Sequence, residues 1–384
     1  MSEIHDLIQE LSAISPGSEL AESRQFRAAA TEHTRGSYQA LFNAGSESFP
    51  RSLRAAIAAQ VADWHQSGGL SQHYLSLTDG EADLQRLSSA LSFARRLTFE
   101  PVAATPAHIA ALQQAGWTVD DIVTLAQLIA FVSFQSRLIH GFTLLESLIT
   151  AAGPRPAAPL PDPVTAGRWH TQPQTAGHRQ APLAFTRKQL GWEPWLPPKP
   201  FADFSPQQQE SLISFGHQDS DYFRLLGRDQ PVLEQRTLTD KGIFYTPGGL
   251  SRAERELAAT VVSKVNGCIY CASVHARKAS QLSKLQDDVA LLLQVQPGDP
   301  LSDGQSARWQ AEIEAVAALS LTPPRLTTAH LQALQQLPLT PLEITDLIQS
   351  AAFFAWANRL MLTLGEPFIP AEAASPAAEK ATRV

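Results

Sequence analysis

The strongest constraint on the fold is a repeat within the chain. AHIAALQQAGWTVDDIVTLAQLIAFVSFQSRL, from Ala107, aligns without gaps on AHLQALQQLPLTPLEITDLIQSAAFFAWANRL, from Ala329. His108 falls on His330, Gln113 and Gln114 on Gln335 and Gln336, Thr118 on Thr340, Gln127 on Gln349, Phe131 on Phe353, and Arg137 on Arg359. Upstream, FPRSLRAAIAAQVADWHQSGGLSQHY, from Phe49, aligns more loosely on LSRAERELAATVVSKVNGCIYCASVH, from Leu250, with Arg51 on Arg252 and Arg54 on Arg255. A repeat of this length predicts two copies of one domain. Both copies read as helical. Leu, Ala and Ile recur at three- and four-residue steps, as in Leu331, Leu334 and Leu337, then Ile344, Leu347, Ile348 and Ala351. Thr118 and Thr340 stand where an N-cap would open each long helix. No alternating strand run is evident. The expected fold is all-α, with two helical domains related by duplication.

A chain of 384 residues has room for two such domains. Between the copies, Pro154, Pro156, Pro159, Pro161, Pro163, Pro173 and Pro182 break any helix, and Gly153, Gly167 and Gly177 add freedom. The expected boundaries are residues 1–150 for the first domain, 151–200 for an extended linker over the surface, 201–370 for the second domain and 371–384 for a frayed tail. The linker ends in GWEPWLPPKP, whose Trp192 and Trp195 are expected to dock on a core. A net charge of −7 with no basic stripe argues against nucleic acid as a partner. The most apolar stretch, Ile122 to Leu148, carries Gln127, Gln135, Arg137 and His140, so it reads as a buried helix rather than a membrane span. The opening MSEIHDLIQELSAI lacks the basic and apolar regions of a secretory signal and reads as an amphipathic helix. The expected location is cytoplasmic.

Only two cysteines occur, Cys268 and Cys271. A pair this close closes too short a loop to be a useful staple, so it points to redox chemistry or metal binding. Ser251 can cap a helix running to about Lys264, Asn266-Gly267 can stop it, and a second helix then starts around Cys268. Cys268, Cys271 and His275 share one face of that second helix. A helix N-terminus and a nearby imidazolium lower a cysteine pKa, and on that ground alone Cys268 would be the reactive thiol. A sulfenic acid formed on one thiol condenses with the other to a disulfide. His275 titrates near neutrality and suits proton transfer. By spacing alone, Glu256 in RAERE belongs to a solvated helix face. Two cysteines and one histidine fall short of the roughly four ligands of a zinc site. No metal or other cofactor is expected.

The pattern formed by Glu256, Cys268, Cys271 and His275, within GGLSRAERELAATVVSKVNGCIYCASVHARKASQL and with AAFFAWANRL downstream, resembles the carboxymuconolactone decarboxylase-like superfamily. Within it, the match is to the AhpD-like alkylhydroperoxidases of the peroxidase-related branch. The resemblance is strong over roughly residues 185 to 370 and weak over 20 to 150. It implies an all-helical fold, obligate oligomers and reduction of a hydroperoxide by a dithiol, thioredoxin-like or lipoyl-type reductant. It implies that Cys271 attacks the peroxide, Cys268 resolves the product, and Glu256 and His275 relay the proton. Tyr270 departs from the best-known AhpD pattern, which has a histidine between the cysteines. In the first copy Ala55, Ser67, Leu70 and Tyr74 stand at the four motif positions, so that domain is expected to be a degenerate structural partner. His65 and His73 nearby read as structural. The expected assembly is a trimer of pseudo-dimers, or a dimer. Rival functions are carboxymuconolactone-type lactone chemistry, which needs no thiol pair, and a non-catalytic redox sensor.

Overall fold

The computed structural model describes residues 6–43, 45–79, 84–151 and 158–371. Before the proline-rich stretch come helices α1 (Leu7–Leu11), α2 (Glu19–Phe26), α3 (Ala28–Asn43), α4 (Arg51–Trp64), α5 (Gly68–Leu75), α6 (Leu84–Phe99), α7 (Pro106–Gln114) and α8 (Val119–Ile149). After it come α9 (Pro206–Phe215), α10 (Asp221–Leu226), α11 (Gln230–Phe244), α12 (Arg252–Asn266), α13 (Ile269–Ser283), α14 (Gln286–Gln294), α15 (Ala307–Ser320), α16 (Thr328–Gln336) and α17 (Pro341–Thr363). The protein is all-α apart from two short strands. Thr118 and Thr340 cap α8 and α17 through their side chains. Thr105 and Thr327 open α7 and α16 with the same capping box, in which His108 and His330 return the bond.

The helices of the two halves pack around one continuous apolar cluster. At its centre α8 crosses α17. There Phe131, Phe134, Phe353 and Trp356 pack ring against ring with centroids 5.2 to 6.2 Å apart. The Trp356 indole N–H donates to Gln127 Oε1 at 2.9 Å, so the one polar atom of that ring is satisfied inside the core. Each fully buried aromatic of this kind contributes about 1.5–3 kcal/mol of transfer free energy.

The contacts across the halves are reciprocal. Arg137 of α8 donates to the Ser320 carbonyl, and Arg359 of α17 donates to the Thr98 carbonyl, each at 2.9 Å. The shift in residue number that relates the two arginines also relates the two acceptors. Both guanidinium groups reach the Thr322 hydroxyl as well. Ahead of α3, Arg27 grips Asp346 of α17, at 2.6 Å from its Nε. Ahead of α11, Asp229 accepts from Thr124 of α8 at 2.7 Å.

α8 is long and apolar enough to cross a bilayer by length and composition, yet 94% of its most apolar window is buried inside the protein, as befits a core helix. The proline-rich stretch, from residue 158 on, lies over the second half. Ala166 bridges to Pro297 and Thr165 to Pro300, and the Gly167 amide donates to the Lys264 carbonyl. Trp192 and Trp195 dock. Their indoles donate to the Met361 carbonyl at 3.1 Å and to Glu366 at 2.9 Å. This docking builds an antiparallel pair, β1 (Gly191–Pro194) with β2 (Gly365–Phe368). Sequence reading found no strand because Gly-Trp-Glu-Pro has little β-propensity of its own; tertiary context makes it one. Residues 372–384 of the expected tail lie outside the described residues.

Candidate active site

The site grows from the α12–α13 hairpin. Ser251 caps α12 and accepts from the Glu254 amide, and Glu254 returns a bond to the Ser251 amide. Gly267 ends α12 in the left-handed conformation, at φ 75°. A Cβ there would stand 2.1 Å from the Arg168 carbonyl, so both the turn and the passing chain require glycine. Cys268 is the N-cap of α13, and Cys271 lies in its first turn.

Glu256, expected from spacing to be solvated, is fully buried. The hairpin folds its helix inward so that Oε2 pairs with Nδ1 of His275. Oε1 accepts from Arg252 Nε at 2.7 Å and faces Lys278 Nζ at 3.9 Å. Burial pushes the carboxyl up, but His275, Lys278 and Arg252 together outweigh it and hold Glu256 below the ordinary carboxylate range. With Nδ1 engaged, Nε2 of His275 is the nitrogen left to exchange a proton. The imidazole edge packs on Phe354 with ring centroids 4.3 Å apart.

Both cysteines are free and buried. Burial pushes the Cys268 thiol well up, and Cys271 beside it adds to the rise; the amides of Cys271 and Tyr270 offset only part of it. Burial therefore opposes the lowering that the helix N-terminus alone would give the Cys268 thiol. Desolvation outweighs the dipole at that position.

The two sulfurs also face different spaces. Cys271, with His275 and Lys278, lines a cavity of about 390 Å³ walled by Tyr222, Arg236, Phe353 and Phe354. Cys268 borders a separate void of about 30 Å³, room for a water, roofed by His170 and Pro182 of the proline-rich stretch. Tyr270 touches both spaces and forms part of the wall between them.

Residues 230–300 match the carboxymuconolactone decarboxylase family. The match begins at the first residue of α11 and runs past α14, so the family segment holds Glu256, Cys268, Cys271 and His275. No curated protein matches the chain at a significant level. The family segment supplies the motif, while α10 and α17, which lie outside it, supply Tyr222, Phe353 and Phe354 to the cavity.

Sequence reading singled out four residues, and all four lie in or behind this hairpin. It missed Arg252, Lys278, Arg236 and Tyr222. Arg252 had a usable signal, since it stands four residues before Glu256 on one helix, an i, i+4 pair. Lys278 follows His275 by three. Nothing in the sequence marks Arg236 or Tyr222. In the first half, His65 is fully enclosed and bonded to Ser133 Oγ at 3.0 Å, and burial first, then Arg137 and Arg359, holds it well below its ordinary pKa. It is a neutral core histidine.

Proposed function

We propose that the chain reduces organic hydroperoxides through a dithiol–disulfide cycle at Cys268 and Cys271. The observation that carries this reading is the cavity. Cys271 and His275, the latter paired with the buried Glu256, line it, while Cys268 borders a separate small void. In the cycle, the Cys271 thiolate attacks one peroxide oxygen and the O–O bond breaks. The leaving alkoxide takes a proton from His275, giving an alcohol and a sulfenic acid on Cys271. Cys268 then attacks that sulfur, water leaves, and a disulfide forms. A dithiol reductant restores both thiols. Glu256 steadies the imidazolium while it carries the proton, as a buried carboxylate partner does elsewhere.

The reading is tested by consumption of cumene hydroperoxide with dithiothreitol. Cys271→Ser is expected to abolish turnover, and Cys268→Ser to leave a sulfenic acid on Cys271 that dimedone traps. Full turnover by Cys271→Ser overturns the assignment. The decarboxylase family match supports a second reading, lactone chemistry in the same cavity. That chemistry needs no thiol pair, so it would survive both substitutions.

We also infer that the halves are two copies of one helical unit, of which the first has lost the chemistry. The reciprocal Arg137 and Arg359 contacts support this.

A further inference from the structure

Arg236 has no role in the cycle above, yet it lines the same cavity as Cys271. It sits on α11 with 5% of its surface exposed. Its guanidinium lies over the rings of Phe353 at 5.1 Å, Trp356 at 5.7 Å and Tyr222 at 5.9 Å. Rings hold the flat face of a guanidinium but leave its in-plane N–H groups unused. Arg236 makes no hydrogen bond or ion pair within the described residues, and its Nε is sealed from solvent without a partner. A second donor beside it is in the same condition. Tyr222, 6% exposed, also has no partner for its hydroxyl. Its ring is held edge-on by Trp192 at 5.3 Å, so the docked proline-rich stretch fixes its position. Tyr222, Arg236 and Cys271 line the same cavity.

A buried guanidinium without an acceptor is costly, and such a group calls for a reason. The one carboxylate near it, Asp240, lies a helical turn further along α11, lines the cavity, and makes no ion pair with it. Burial pushes the Asp240 carboxyl up despite Arg236, which weakens its claim. His217, also on the cavity wall, is held down to about 3 by burial and then by Arg236 and Lys241, so it stays neutral. The cavity thus combines a cationic end with walls of Phe215, Phe223, Phe354 and Met361. A planar monoanion with an apolar body suits it.

We infer that Arg236, with Tyr222 beside it, is an anion subsite that binds the carboxylate of a hydroperoxide whose apolar body fills the cavity and whose peroxide end meets Cys271. The inference rests on the hydroperoxide reading for the reacting end, whereas the anion subsite stands on Arg236 and Tyr222 themselves.

The test compares the para-carboxylate of cumene hydroperoxide with its methyl ester in the full-length protein, with dithiothreitol as reductant. The expected result is a KM lower for the acid by about tenfold to a hundredfold, the usual worth of a charge-assisted contact. Arg236→Gln brings the acid-to-ester ratio near one, Arg236→Lys keeps part of it, and Tyr222→Phe reduces it. A wild-type ratio near one, or an unchanged ratio in Arg236→Gln, overturns the inference. Should Arg236→Gln not fold, the wild-type ratio and Arg236→Lys still decide. Should neither hydroperoxide be consumed, calorimetry with the corresponding benzoate alcohol and its methyl ester separates the two ideas. Tighter binding of the benzoate, lost in Arg236→Gln, keeps the subsite and removes the hydroperoxide reading. Equal binding of benzoate and ester removes the subsite.

Discussion

The α4–α5 and α12–α13 hairpins are built alike and do different work. Each turns on a left-handed residue, Gln66 at φ 59° in the first and Gly267 at φ 75° in the second. Each carries a buried arginine whose guanidinium donates to backbone carbonyls, Arg54 to Phe49 and Leu41, and Arg255 to Ile243 and Thr246. At the motif positions they part. Ala55 and Glu256 are both fully buried, yet one is apolar and the other an anion gripped by Arg252 and His275. Leu70 and Tyr74 stand where Cys271 and His275 do, both fully enclosed, with the Tyr74 hydroxyl donating to Gln135. At these motif positions the first hairpin thus meets the packing demand with apolar and neutral groups. The second meets it with ionic and thiol groups against a cavity. The fold asks for buried volume and a tight turn, and the chemistry is a separate layer set on it.

That separation can be broken by experiment. The largest effect is expected from Cys271→Leu, which imports the first hairpin's residue; it should remove peroxide turnover while leaving the thermal melt within about 1.5 kcal/mol of wild type, the range of a tolerated apolar swap. A melt that collapses would mean that the thiol is part of the packing. Next come His275→Gln and Glu256→Gln, each expected to slow thiolate alkylation and turnover by about 10²-fold, the typical worth of acid–base help. Their pH profiles carry a further check. Glu256 is held below the ordinary carboxylate range in the folded chain. Its pair therefore stabilises fully above about pH 4.3, the unfolded value, and that stability is lost as pH falls through the folded value. Glu256→Gln should lack this acid-side loss.

Smaller effects test the turns and the cover. Gly267→Ala forces a Cβ against the Arg168 carbonyl at positive φ and should cost about 2 kcal/mol or more in urea unfolding, whereas Gln66→Gly relieves the same conformation and should gain up to about 1 kcal/mol. Equal effects at both turns would contradict the close passage of the proline-rich stretch over the second hairpin alone. Lys264 offers a contrast with the exposed Asp63 at the matching position. It is fully buried under Trp169 and Phe185, donates to the Leu293 and Val295 carbonyls, and burial lowers it to about 8. With burial favouring release of this proton near pH 8 in the folded chain, against about 10.4 in the unfolded chain, stability should rise by up to about 3 kcal/mol as pH is raised across that interval. Melts of Lys264→Met over the same range should be flat.

Much of this was legible in the sequence. The helical period, the two threonine caps, the Asn266-Gly267 stop and the grouping of Cys268, Cys271 and His275 are local features, and local rules read them well. Three things were not. The burial of Glu256 was not legible from spacing alone, because a helix face is solvated or buried according to what packs on it, and that packing comes from α13 and α17. Which thiol is the more reactive was not legible from spacing and dipole alone, because dipole effects are visible along a chain while desolvation is not. Arg236 and Tyr222 carried no signal at all, since a cavity is made by elements distant in sequence.

The placement of the two sulfurs bears on the order of events in a catalytic cycle. Cys271 meets the large cavity, and Cys268 faces the small void under residues 170–182. In the cycle proposed above, with that cover in place, an incoming oxidant and an incoming reductant would use the same opening and attack at the same sulfur. They cannot be bound together. The proposed cycle would then run as two alternating half-reactions, each ending with departure of its product before the other begins. An excess of either partner would occupy the opening and delay the other, so the protein would work fastest at a balance between the two rather than at saturation with either.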